Sequence, residues 1–250
     1  MKKLGHLVPY LTADGSYTLL DEDRQVHYRS QHGAQTESRY VFLGASGLLE
    51  IEGPWRVGEL GFGAAVNFAE TLRAFRSGKF GGTSLEYHSV DWKPVMAEHL
   101  DFHDGEAGEL ARRLVGRFHK EGEKRVEVQS EDGAIKVVLY AMDWRDFNFG
   151  SFRVPAFFHD PFARDVNPEA WEKETFQWAS SVMEERGRLT TYSAATAVRK
   201  AMFEADLYVA VYPGPGRKRE MTIASRCKEV LESIEGATLL ERERYLPKGA

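Results

Sequence analysis

Glu59-Leu60-Gly61-Phe62-Gly63-Ala64-Ala65 is the stretch that decides how this chain is read. An apolar run over 55–60 leads into it, and Phe68, Leu72 and Phe75 follow at helical spacing. In open α/β sheets, ligands bind where a strand ends and the chain turns into a helix. Gly61 and Gly63 can take backbone angles closed to other residues, and without side chains they let a ligand reach the main chain. A tight strand-to-helix connection with no ligand is the plain alternative, because a lone G-x-G is weak by itself.

Outward from this turn the pattern alternates. Strands are expected at 85–91, 154–159, 189–192, 207–212 and 219–225, and helices at 108–120, 168–186 and 195–205. Residues 125–128 and 135–139 flank Asp132-Gly133, a strong hairpin signal. Cys227, Val230, Leu231 and Ile234 suggest a last helix. Such alternation argues for a largely parallel sheet covered by helices on both faces. The last two strands, joined by Pro213-Gly214-Pro215-Gly216, are expected as an antiparallel hairpin at one edge. Before the glycine turn, residues 17–28 read as a hairpin around Asp21-Glu22-Asp23. A polar stretch and the apolar run Tyr40-Val41-Phe42-Leu43 come next.

Acidic residues stand at the ends of these strands. Asp91 is placed to take both hydroxyls of a ribose, and Asp143 to accept the exocyclic amine of an adenine. Glu59 can hold a ligand's ammonium or orient the turn. Each alone is more often a solvated loop carboxylate or a helix cap than a ligand contact. Together they suit an adenosyl ligand better than a dinucleotide, since carboxylates repel a pyrophosphate. At the same sheet end stands Asp160-Pro161-Phe162. Asp160 can accept an N–H bond from an amine and aim its lone pair, or help remove its proton. Phe162 can stack on an exposed base. The alternative for this segment is a strand-ending turn with a core phenylalanine.

Other features are less committed. Arg217-Lys218-Arg219 and Arg199-Lys200 can contact phosphates, though solvated charged segments are more common. His99 and His103 have i, i+4 spacing but lack an evident third ligand, so they are expected at the surface and no metal site is expected. A formal net charge of −5 argues against coating nucleic acid by bulk charge, and leaves room for a local basic rim. The one cysteine, Cys227, excludes an intramolecular disulfide. His6, Pro9 and Tyr10 interrupt the first apolar residues, so no signal peptide is expected. No stretch approaches the roughly 18 apolar residues of a membrane span, and a cytoplasmic location follows as an expectation.

Several segments together resemble the methyltransferase domain of the MnmC family of tRNA-modifying enzymes and its stand-alone relatives. They are Thr12-Ala13-Asp14-Gly15-Ser16, His27-Tyr28-Arg29-Ser30 with His32-Gly33-Ala34, Glu37-Ser38-Arg39-Tyr40-Val41-Phe42, and Gly58 through Gly63 with Asn67-Phe68. Ser89-Val90-Asp91, Asp160-Pro161-Phe162-Ala163 with Asn167-Pro168-Glu169 and Trp171, Thr190-Thr191-Tyr192, and Pro213-Gly214 with Gly216 through Met221 complete the set. The resemblance implies a Rossmann-like class I S-adenosylmethionine (SAM) methyltransferase fold. Its sheet would be mostly parallel with an antiparallel edge strand. A β-rich extension over 1–50 would precede the SAM-binding domain over 51–250 in one globular unit.

The implied reaction is methylation of the amine of 5-aminomethyl-(2-thio)uridine in the tRNA anticodon loop, with SAM as co-substrate and neither metal nor flavin. An amine made by other enzymes, no membrane and no obligate protein partner are further expectations. SAM is implied to contact Glu59, Gly61, Gly63, Asn67, Asp91 and Asp143, with Asp160 and Phe162 at the reacting centre. Tyr28, Glu37, Tyr192, Arg217, Lys218 and Arg219 are the implied substrate residues. The chain departs from the family pattern in three places. Ala64-Ala65 stands for Thr-Gly after the second glycine, Asp91 for a glutamate, and Met142-Asp143-Trp144 for Gly-Asp-Ala. Two other readings stay open: a SAM methyltransferase of another amine or nucleobase, and a SAM- and RNA-binding protein without turnover.

Overall fold

The computed structural model describes residues 6–147, 150–216 and 219–246. The chain starts with a small antiparallel sheet of β1 (Leu7–Leu11), β2 (Tyr17–Asp21) and β3 (Val26–His27). The hairpin after Tyr17 is as expected, whereas β1 lies where the sequence showed only scattered apolar residues. A short helix α1 (Ala34–Glu37) runs on into a π-helical segment, Ser38–Gly44. That segment turns the apolar run inward, so Val41, Phe42 and Leu43 are buried in succession.

Asp14 ties these pieces together. Its carboxylate accepts hydrogen bonds from Thr12, from the Ser16 backbone and hydroxyl, and from the Thr36 backbone and hydroxyl. These donors hold its carboxyl well below the usual range. Gly33 packs so closely on Asp14 that a Cβ there would lie 2.6 Å from a carboxylate oxygen. The resemblance segments 12–16 and 32–34 are thus two halves of one joint.

The main unit then alternates as expected: β4 (Gly53–Leu60), α2 (Val66–Arg76), β5 (Gly82–Val90), α3 (Gly105–Glu121), β6 (Arg125–Gln129), β7 (Ile135–Tyr140) and β8 (Val154–His159). It continues with α4 (Lys173–Val182), β9 (Met183–Thr191), α5 (Thr196–Glu204), β10 (Tyr208–Pro213), β11 (Glu220–Ser225), α6 (Lys228–Glu232) and β12 (Thr238–Leu239). Among the described residues, the nine strands of its sheet lie in the order β12-β10-β11-β9-β8-β4-β5-β7-β6. Strands β7, β5, β4, β8 and β9 run parallel. Both edges are antiparallel to their neighbours, β6 on β7 and β12 on β10. The late hairpin β10–β11 is not itself an edge, because β12 pairs on the outer side of β10.

Burial explains the elements. In β7, Val137, Val138 and Leu139 are all buried, as a parallel strand covered on both faces requires. Helix α3 buries Ala107, Leu110, Ala111, Leu114 and Val115 on one face. Its outer face carries the i, i+4 pairs Glu109–Arg113 and Arg117–Glu121. Each fully buried leucine there contributes about 1.5–3 kcal/mol.

One expected helix is shortened. The pattern over 168–186 is a 3₁₀ turn (Pro168–Trp171) and α4, and the chain is already a strand at Met183. Met183 pairs with Val154 of β8, and Glu184 forms an ion pair with Arg56 of β4. Neighbouring strands therefore override the helix-forming character of Glu184-Glu185-Arg186.

Candidate active site

The carboxyl ends of β4, β5, β7 and β8 open into a cleft of about 260 Å³. Its wall includes Gly61, Gly63, Asp91, Asp143, Asp160 and Phe162, all expected at the site, and also Tyr28.

The glycine turn is shaped by close approaches. Gly61 has φ +99°, and a Cβ there would meet the Asp160 carbonyl oxygen at 2.5 Å. The two strand ends are locked by Asp160 N–H donating to Leu60 O (3.0 Å) and Gly61 N–H donating to Val90 O (2.9 Å). Gly63 has φ +50° and donates its N–H to Asp91 Oδ2 at 2.9 Å. Ala65, at φ +58°, holds a left-handed conformation that costs a residue with a Cβ about 1–2 kcal/mol. His103 supports the turn from below: its Nε2 donates to the Ala64 carbonyl at 2.6 Å. This histidine is buried, not at the surface as expected, and burial lowers its pKa to about 4. No group of three metal-ligating side chains occurs among the described residues.

Asp91 stands at the end of β5. Its second oxygen accepts the Lys93 N–H at 2.9 Å, and burial raises its pKa. The Gly63 N–H that a pyrophosphate would seek already meets this carboxylate. The turn therefore suits hydroxyls and a cation, the chemistry of a sulfonium nucleoside, better than phosphates. Each Asp91 oxygen keeps acceptor capacity for a ribose hydroxyl. Asp143 caps the short turn Trp144–Asp146 and pairs with the Arg145 guanidinium, which lowers its pKa. It lies on the cleft wall beside Met142 and Trp144.

Below the cleft lies a polar layer. Glu59 is 1% exposed, and both its oxygens are occupied inside the protein, by Asn67 Nδ2 (2.9 Å) and Ser89 Oγ (2.8 Å). Burial raises its pKa to about 7. Asn67, at the start of α2, donates from the same nitrogen to Asp160 Oδ2 at 3.0 Å and accepts from Ser38 Oγ at 2.7 Å. Glu59 and Asn67 therefore support the glycine turn and Asp160 from behind instead of lining the open cleft.

Asp160 has an ion-pair partner that the sequence reading did not single out. Arg29, from the N-terminal extension, pairs with its Oδ2, and both side chains are almost fully buried. Burial pushes the Asp160 carboxyl well above its ordinary value, and Arg29 pulls it back. Arg29 also sits 4.9 Å over the Phe42 ring. Tyr28 meets Phe162 edge-on at 4.8 Å between ring centroids, so the extension also supplies one side of an aromatic mouth. The signal for Arg29 was its place in the resemblance segment beside Tyr28.

The remaining expected residues surround this centre. Tyr192 donates its hydroxyl to the Pro161 carbonyl at 2.9 Å and packs on Trp171. Glu37 is buried and accepts the Ser30 N–H. A small pocket joins Ser30 and Glu37 to Pro215 and Gly216 on the late hairpin. Arg219 is exposed on that hairpin, while Arg217 and Lys218 lie outside the described residues. Arg199 is buried and engaged by Thr222 and Glu220, which occupies the guanidinium considered for phosphates. Lys200 is exposed and pairs with Glu204.

Comparison with known proteins agrees with this chemistry. A family model described as S-adenosyl-L-methionine-dependent methyltransferase matches residues 105–227, a span holding Asp143 and Asp160-Pro161-Phe162. The chain is 32% identical over 214 residues to a Caulobacter vibrioides protein named tRNA 5-methylaminomethyl-2-thiouridine biosynthesis bifunctional protein MnmC, covering 80% of this chain and 35% of that one. Over residues 105–227 the chain is similar to S-adenosyl-L-methionine-dependent methyltransferases. A Ralstonia nicotianae protein of the same name is 30% identical over 210 residues, covering 79% of this chain and 31% of the relative. The chain thus spans about a third of the length of these curated relatives. The crystal structure of MNMC2 from Aquifex aeolicus shares this fold at a TM-score of 0.70 and 23% identity, covering 98% of this chain and 76% of that one. Among the described residues no helix is long and apolar enough to cross a membrane.

Proposed function

We propose that this chain methylates the amine of 5-aminomethyl-(2-thio)uridine at the wobble position of tRNA, in the cytoplasm and without an obligate protein partner. The observation that carries this reading is the Asp160 carboxylate, held beside the glycine turn at the end of the cleft and flanked by the Phe162–Tyr28 aromatic pair. The names of the curated relatives support the choice of acceptor.

The glycine turn, Asp91 and Asp143 would hold SAM, whose bound sulfonium supplies an electrophilic methyl group. The chain's own residues prepare the acceptor. Phe162 and Tyr28 offer aromatic surface to a splayed-out base, which fits the anticodon loop because a base inside a helix cannot reach the cleft. Asp160 accepts an N–H from the acceptor amine and turns its lone pair toward the methyl carbon. The lone pair forms the N–C bond, the C–S pair stays on sulfur, and the methylated ammonium later loses its proton to Asp160 or water. Arg219, exposed on the late hairpin, can meet backbone phosphate.

The test is transfer of labelled methyl from SAM to tRNA with and without the aminomethyl group, read by nucleoside mass spectrometry. Product from the first tRNA alone is expected, and Asp160→Ala should lower kcat by about 10²- to 10³-fold. Undiminished turnover by that variant would refute the assigned role.

A further inference from the structure

The acceptor amine poses a problem that the polar layer around Asp160 makes acute. Alkylamines resemble lysine, with a pKa near 10, and are protonated at neutral pH. An ammonium has no lone pair and cannot attack. A buried carboxylate beside it favours the charged form and makes matters worse. Here the carboxyl groups facing Asp160 are Glu59 from β4 and Glu37 from α1, and the phenols of Tyr87 from β5 and Tyr192 after β9 also lie near. Without a counter-charge this nest would trap ammonium.

Arg29 is the positive group set into it. Its guanidinium is buried against Asp160, lines the cleft, and is backed by the Phe42 ring. Its Nη1 is buried with no hydrogen-bond partner among the described residues. We infer that Arg29 is a positioning residue that keeps the acceptor amine unprotonated, an inference that rests on the amine-methylating reading above. Paired with Arg29, Asp160 still accepts an N–H bond but no longer presents an unbalanced negative field. A fixed cation a few ångströms from the amine also lowers the amine's proton affinity, as cationic neighbours do for reactive lysines. The incoming ammonium gives its proton to solvent, the neutral amine attacks the methyl carbon, and the product carries the positive charge that the sulfonium loses.

The experiment compares the wild-type chain with Arg29→Gln, which keeps an N–H donor toward Asp160 but no charge, and Arg29→Lys, which keeps the charge. Methyl transfer to aminomethyl-bearing tRNA is followed from about pH 6 to pH 10, with SAM binding and thermal melting as controls of folding. For unit charges about 6 Å apart at an effective dielectric near 20, loss of the cation moves the acid limb of kcat, which titrates the bound amine, up by about one to two pH units. Arg29→Gln should therefore lose about ten- to a hundredfold in kcat at pH 7, regain much of it by pH 9–10, and show a lowered KM, because ammonium is now held tightly. Arg29→Lys should keep the wild-type limb. Should Arg29→Gln fail to fold, Arg29→His places a titrating cation there, and its activity should fall as the imidazole loses its proton. A uniform loss at every pH, or no loss, overturns the role of Arg29 alone. No transfer by the wild-type chain at any pH, with SAM bound, overturns the acceptor reading and this role with it.

Discussion

Asn67→Asp is the most informative single change, because it alters one atom's chemistry while keeping the side chain's shape. The amide nitrogen of Asn67 donates to Glu59 Oε1 at 2.9 Å and to Asp160 Oδ2 at 3.0 Å. Aspartate replaces that donor with an oxygen facing two carboxyl oxygens in a buried layer. Each lost hydrogen bond to a charged partner is worth about 1.5–3 kcal/mol, so the two together amount to about 3–6 kcal/mol. That is a large fraction of the roughly 5–15 kcal/mol that stabilises a native domain. The loss must depend on pH. Burial beside other carboxyls raises the new group's folded pKa above its unfolded value, so the native state takes up a proton that the unfolded chain does not. The stability tied to that proton is present at low pH and is lost as pH rises through the folded value. Urea unfolding followed by far-UV circular dichroism at about pH 5.5 and 8.5 should show the full loss at the higher pH and a clearly smaller one at the lower. A loss below about 1 kcal/mol at pH 8.5, or equal losses at both, would refute the account of Asn67 as the shared donor.

Two further changes probe the glycine turn. Gly61→Ala combines a forbidden φ with a contact on the Asp160 backbone. It should destabilise the fold by about 2–5 kcal/mol in the same unfolding measurement; a shift under about 1 kcal/mol would mean that the strand ends part easily. His103 has a folded pKa of about 4 against an ordinary 6.5. Its contribution is therefore present above pH 6.5 and lost as pH falls toward 4, by about 3 kcal/mol in all. His103→Gln should flatten the stability curve across that window, and parallel curves for the two proteins would sink the assignment.

The alternation of strands and helices, the glycine turn and the strand-end carboxylates were legible along the chain because each is a local pattern. Apolar spacing marks a strand or a helix wherever it occurs, and a residue that follows a parallel strand lies at the ligand end of the sheet. Asp91, Asp143 and Asp160 could therefore be placed on one rim from their positions alone. Which buried groups meet there is a different matter. Only the adjacency of β4 to β8 sets Gly61 against the Asp160 carbonyl and lets Asn67 bridge Glu59 and Asp160. Folding of the N-terminal extension over the cleft is what carries Arg29 to Asp160 and Tyr28 to Phe162. His103 looked like a surface histidine, yet the fold buries it with its Nε2 on the Ala64 carbonyl of the turn. Glu184-Glu185-Arg186 looked helical until β8 claimed the chain as a strand. Local periodicity reports which face of an element avoids water. The partner of a buried charge depends on which distant segments the fold brings together, and that was decided by the tertiary structure.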